Sequence, residues 1–138
     1  MLRLAEVGPG DVVYDLGCGD GRIVITAARA FGARGVGIDR DPQRIAEAAA
    51  AAGDVADRVS FVLGDVFDVD LRDGTVVCLY LQGFSYAEIR RRALLPQLKP
   101  GTRIVSHDFS FPDWPPARTE IFRSYLIRVS FVYVWTIE

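Results

Sequence analysis

The chain is 138 residues long, half of them apolar and a quarter charged, with a formal net charge of −2. That composition builds one hydrophobic core, and it argues against a disordered chain or a polybasic binder of nucleic acid or anionic lipid. The longest apolar run, residues 76–81, is too short to span a bilayer, and MLRLAEVGPG lacks the apolar stretch of a secretory leader. Two cysteines and one histidine supply neither a disulfide framework nor a metal-ligand cluster, so the expectation is a cytoplasmic domain over 1–138 without metal, nucleic-acid or membrane partners.

Val12–Leu16 is a short apolar run entering a glycine-rich turn, which predicts a buried strand. Residues 20–31 then carry Ile23, Val24, Ala27, Ala28 and Phe31 at helical spacing. Residues 35–39 read as a second strand. Asp41-Pro42 is an N-cap followed by proline at the first helical position, and Gly53 is the stop. Val59–Leu63 and residues 75–81 are the third and fourth strands. Ser85 and Glu88 have capping-box spacing and open a helix that Pro96 ends or kinks. Arg103–His107 is the fifth strand. After a proline-rich loop, residues 118–127 and 130–138 form two β-rich stretches too close together for a parallel crossover, so they pair as a hairpin. Phe131, Tyr133, Trp135 and Ile137 share one face of the last strand, and Val132 and Val134 lie on the other. A strand apolar on both faces is expected inside the sheet and covered on both sides. Strands alternating with helices make an α/β fold with a mostly parallel sheet.

The chemistry lies in VYDLGCGDGR, residues 13–22. Glycines let backbone approach a ligand closely, Asp15 enters the loop, and Asp39 ends the next strand, where a carboxylate accepts both hydroxyls of a ribose. Dinucleotide binders use G-x-G-x-x-G and aim a helix N-terminus at a pyrophosphate. Here the spacing is D-x-G-x-G-x-G, and the carboxylates of Asp15 and Asp20 repel a pyrophosphate but suit a ligand bearing a sulfonium and an ammonium.

This loop resembles motif I of class I S-adenosylmethionine-dependent methyltransferases, and Gly64-Asp65-Val66 stands where those enzymes set an acid against the adenine amino group. VVYDLGCGDGRIVITAA, GVGIDRDPQRIAEA, ADRVSFVLGD, TVVCLYL, LKPGTRIVSHDF and the Trp-Pro loop are together similar to a bacterial methyltransferase family. That family is in turn similar to the archaeal and mitochondrial protein-lysine methyltransferases. The resemblance implies a three-layer Rossmann-like fold with strand order 3-2-1-4-5-7-6 and an antiparallel C-terminal hairpin. It implies S-adenosyl-L-methionine as cofactor and S-adenosyl-L-homocysteine as product. It also implies Asp15, Gly17, Gly19 and Gly21 around the methionine portion. Cys18, in the same loop, reads as a small filler whose backbone amide serves the cofactor site, with a reactive thiol as the competing reading. Asp39 is implied on the ribose, Arg40 over the adenine face, Asp65 with Val66 at the adenine, and Leu79, Tyr80 and Leu81 facing the reactive methyl. The chain departs from the family pattern in two places. Gln82-Gly83-Phe84 replaces an acid-bearing L-P-E stretch, and eleven residues precede the first strand where relatives carry a closing arm, so the site is expected to be open or completed from outside.

Methyl transfer from a sulfonium is an in-line displacement in a water-poor site. Deprotonating a lysine acceptor at pH 7 costs about 4–5 kcal/mol, which an apolar aromatic pocket lowers. Leu81, Gln82, Phe109, Phe111 and Trp114 are the expected pocket walls. Tyr80, His107 and Asp108 are the candidate catalytic groups, with a buried, backbone-satisfied His107 as the competing reading. Arg90, Arg91 and Arg92 read as solvated surface. On family analogy the acceptor is a protein lysine. A small metabolite is the second reading, and a cofactor-binding module inactive without a partner or N-terminal lid is the third. The chain is expected as a monomer or as a homodimer through its aromatic hairpin.

Overall fold

The computed structural model describes residues 1–123 and 128–138. Its strands are β1 (Val12–Leu16), β2 (Arg34–Asp39), β3 (Val59–Leu63), β4 (Val76–Leu79), β5 (Arg103–His107), β6 (Arg118–Arg123) and β7 (Val129–Thr136). They form one sheet in the order β3-β2-β1-β4-β5-β7-β6, parallel except for β7, which runs antiparallel to both β5 and β6. The order and the antiparallel hairpin are those the resemblance implied. The last four residues of the expected sixth strand, 124–127, lie outside the described residues.

Alternation along the strands splits the core into two layers. Leu16, Val77, Leu79 and Ile104 face one side, beneath α3 (Tyr86–Ile89) and Trp135. Val13, Val76, Cys78 and Val105 face the other, beneath α1 (Arg22–Phe31) and the first residues of the chain. α2 (Pro42–Ala52) opens as expected, with the Asp41 carboxylate accepting the Gln43 N–H at 2.9 Å and proline following it. The N-terminal segment is fastened by Arg103, whose guanidinium donates to the carbonyls of Ala5 and Glu6 and pairs with the Asp11 carboxylate.

Several elements depart from expectation. β4 ends at Leu79 rather than Leu81, because Tyr80 and Leu81 turn into the loop and the Leu81 N–H donates to the Tyr86 hydroxyl instead of the ladder. The helix from Ser85 is α-helical for only four residues. Residues Arg90–Leu94 then widen into a π turn, in which the Leu95 N–H donates to the Arg90 carbonyl. Pro96 follows, and the Gln97 side-chain amide donates to the Ala93 carbonyl at 2.9 Å. Only half of the capping box forms, since the Glu88 carboxylate turns to Arg91 and Arg92. Arg90 is not solvated surface. It is half-buried, with its guanidinium 4.4 Å from the centre of the Trp114 ring. β7 is covered on both faces over residues 132–135, but Val129 and Phe131 extend past the end of β5 and are exposed.

Candidate active site

The chain leaves β1 toward one edge of the sheet and returns at β4 toward the other, so a crevice opens at their C-terminal ends. Its floor is the loop after β1. Gly17, Gly19 and Gly21 all take positive φ, at 78°, 54° and 81°. The Gly17 and Cys18 N–H groups both donate to the Ile38 carbonyl, at 2.8 and 2.9 Å, which ties the loop to β2. The Cys18 amide is therefore engaged within the fold and is not offered to a ligand, contrary to the expectation. Its thiol is pushed up to about 12 by burial, with the Asp15 and Asp39 charges adding, so it fills space as an unreactive group. Gly21 has a packing role in addition. A Cβ there would lie within 2.9 Å of Phe61 and Ala48, so this glycine lets α1 close onto β3 and α2.

Two adjoining cavities share Gly17 and Tyr80. One, of about 220 Å³, is lined among others by Asp39, Arg40, Asp65, Val66, Leu81 and Gln82. The other, of about 460 Å³, is lined among others by Met1, Asp15, Cys18, Gly19, Asp20 and His107. Met1 brings the N-terminal segment to the crevice wall, so the residues before β1 do form part of its boundary.

The acids differ in their partners. Asp20 is neutralised by Arg22, whose guanidinium approaches to 2.7 Å. The Asp39 Oδ2 accepts the Gly19 N–H at 3.0 Å and its Oδ1 accepts the Asp41 N–H at 3.0 Å. Each of those oxygens keeps a lone pair for a further donor. The Asp65 Oδ1 accepts the Phe67 N–H in a tight turn and its other oxygen stays available. Asp15 is 3% exposed, and its carboxylate has no hydrogen-bond partner among the described residues. Burial, reinforced by Asp39 and Asp20, raises it to about 7. A buried, unpartnered acid beside an open cavity fits a cationic ligand group, and the available lone pairs of Asp39 fit a diol. The donor set therefore suits an adenosyl amino acid.

On the far wall the Tyr80 ring stacks on His107, with centroids 4.6 Å apart. His107 faces the cavity and is 28% exposed, which overturns the buried alternative. Its Nε2 lies 3.6 Å from the Asp108 Oδ2. Asp108 adopts φ 64°, and its Oδ1 accepts the Phe131 N–H at 2.8 Å. Burial works to raise the Asp108 carboxyl, but the Phe131 N–H, His107 and Arg128 together hold it below the usual carboxylate range. Arg128 was not singled out from the sequence. It donates to the Tyr80 hydroxyl and to Asp108, each at 3.2 Å.

The aromatic residues of the Trp-Pro loop do not line either cavity. Phe111 is buried between Tyr86, Trp114 and Trp135, and Trp114 accepts the Trp135 Nε1–H on its carbonyl. Phe109 packs on Tyr80 and Tyr86 from behind. Phe111 and Trp114 pack against Trp135 and Phe109 against Tyr80, so these three support the wall without forming the surface of either cavity. Arg40 lies 5.6 Å from the Phe84 ring centre at the rim of the smaller cavity.

Residues 15–118 match the ANTKMT methyltransferase domain family. The chain is 45% identical over 119 residues to a protein-lysine N-methyltransferase of Saccharolobus islandicus, covering 84% of this chain and 73% of that one. It is 34% identical over 119 residues to the mouse adenine nucleotide translocase lysine N-methyltransferase, covering 84% of this chain and 51% of that protein. Among solved structures, a Salinibacter ruber protein described as an RNA methyltransferase, in complex with S-adenosyl-L-homocysteine, is 49% identical. It superposes with a TM-score of 0.90 over 99% of this chain and 86% of that one. With the sheet order, the glycine loop and the family match in agreement, the chain belongs to the ANTKMT methyltransferase domain family of class I S-adenosylmethionine-dependent methyltransferases.

Proposed function

We propose that the chain methylates a lysine amine of a protein, in the cytoplasm, with S-adenosylmethionine as donor. The observation that carries this reading is the cavity wall where the Tyr80 ring stacks on His107, with the Asp108 carboxylate 3.6 Å from the imidazole. An aromatic face beside a carboxylate suits an amine acceptor. The bound donor supplies an electrophilic methyl on a sulfonium. Asp15 takes its ammonium, Asp39 its ribose hydroxyls and Asp65 its adenine amino group. Tyr80 lies at the boundary of the two cavities. His107 takes up the proton that the acceptor amine must lose, and the neighbouring Asp108 carboxylate stabilises the resulting imidazolium. The names of the Saccharolobus and mouse relatives support a lysine acceptor. The two free, buried cysteines accord with a reducing compartment.

The name of the Salinibacter protein supports a second reading, an RNA acceptor. Incubating the purified chain with tritiated S-adenosylmethionine and a bacterial lysate, then separating protein, RNA and small molecules, distinguishes them. The lysine reading expects label in protein, recovered as methyllysine after acid hydrolysis. Label confined to RNA or to small molecules overturns it.

A further inference from the structure

Tyr80 borders both cavities yet belongs to no strand, because β4 ends one residue before it. Its ring stacks on His107 and leans on Phe109. At the far end of the ring, its hydroxyl accepts from the Arg128 Nη2 at 3.2 Å. The same nitrogen donates to the Asp108 Oδ2 at 3.2 Å. Asp108 is in turn locked to β7 by exchange with Phe131, whose carbonyl accepts the Asp108 N–H at 2.7 Å and whose N–H donates to the Asp108 Oδ1 at 2.8 Å. A left-handed φ at a non-glycine residue is unfavourable, and here those two bonds hold it in place. Arg128 directly precedes β7, so the bracket starts from the sheet itself.

We propose that Arg128 is a positioning residue of the methyl-transfer site, acting through Tyr80. Anchored on Asp108, its guanidinium sets the height of the Tyr80 ring at the boundary where the two cavities meet. The inference rests on reading the crevice as the adenosyl-binding site. It reaches beyond that reading, because it gives the β6–β7 hairpin a part in shaping a cavity built by β1, β2 and β4. The Arg128 side chain is 62% exposed, so its removal is expected to leave the fold intact.

The test is a double-substitution cycle on the full chain, read by calorimetric titration with S-adenosyl-L-homocysteine. Arg128→Ala and Tyr80→Phe are each expected to weaken binding by about threefold to tenfold, and the double variant by no more than either alone. A selectively 13C-labelled tyrosine spectrum gives an independent readout, in which Arg128→Ala shifts the Tyr80 ring signals away from their His107-stacked position. Effects that multiply in the double variant, or an Arg128→Ala chain with unchanged affinity and tyrosine spectrum, overturn the inference alone. Absence of any binding by the unsubstituted chain overturns both it and the site on which it rests.

Discussion

Replacing Asp15 with asparagine tests the electrostatics of the crevice floor. The Asp15 carboxyl is raised from 3.8 to about 7 by burial, with Asp39 and Asp20 adding to it. In the ligand-free protein the folded state therefore holds this proton longer than the unfolded chain does. Its contribution is fully present below the unfolded value, is lost as pH rises toward 7, and is flat above that. Each pH unit in this window is worth about 1.4 kcal/mol, so the unsubstituted chain should lose about 2–3 kcal/mol of unfolding free energy between pH 5 and 7 from this group alone. Asp15→Asn keeps the shape and removes the titration. Denaturant unfolding at several pH values should show the native chain declining relative to the variant, with the variant the more stable at pH 8. Binding should move oppositely. An ammonium seated beside Asp15 stabilises its carboxylate, so S-adenosyl-L-homocysteine should release close to one proton on binding at pH 6, measured by calorimetry in buffers of different ionisation enthalpy. The variant should bind more weakly and release none through this group. Parallel stability curves for the two chains, or proton release unaltered by the substitution, would refute the reasoning.

Gly21→Ala should cost about 1–3 kcal/mol in denaturant unfolding, because the new methyl combines a left-handed backbone with overlap against Phe61 and Ala48. An unfolding midpoint equal to that of the parent would remove the packing role assigned to this glycine. Trp114→Ala should lose about 2 kcal/mol of stability, since the ring packs on Phe111, Trp135 and Arg90, while calorimetric affinity for S-adenosyl-L-homocysteine stays within about twofold. A large affinity loss without destabilisation would return Trp114 to the pocket. Arg103→Ala should release residues 1–10 and cost about 2–3 kcal/mol, because it leaves the Asp11 carboxylate and two carbonyls without their shared donor. Limited proteolysis should then cut within that segment, and a protease-resistant N-terminus would count against the clamp.

The strands were legible because each is a short apolar run bounded by glycine, proline or an acid, and because the connections are too short to leave much choice of partner. Three strands, Val12–Leu16, Val59–Leu63 and Arg103–His107, span the residues expected. The π turn after Ile89 was not legible. It depends on Pro96 and on the reach of Gln97 to the Ala93 carbonyl, which local periodicity does not carry. The glycine loop, Asp15 and Asp39 were legible from spacing along one crevice, whereas Asp65 after β3 was legible through the family resemblance. The aromatic residues after β5 were misplaced for a physical reason. A phenylalanine or tryptophan in a loop serves a pocket or a core equally well, and only tertiary packing showed Phe111 and Trp114 beneath Tyr86 and against Trp135. Arg128 is not legible in the sequence, because Tyr80 and Asp108 are 48 and 20 residues away from it and a single arginine before a strand carries no pattern.

The central claim is that the loop after β1 and the carboxylate ending β2 together hold the adenosyl cofactor. Calorimetric titration of S-adenosyl-L-homocysteine into the native chain and into Asp39→Ala tests it most directly, with circular dichroism confirming that the variant is folded. The native chain should bind one equivalent, and the variant should lose at least about tenfold in affinity with the loss of two charge-assisted hydrogen bonds. A folded variant that binds as tightly as the native chain would contradict the account.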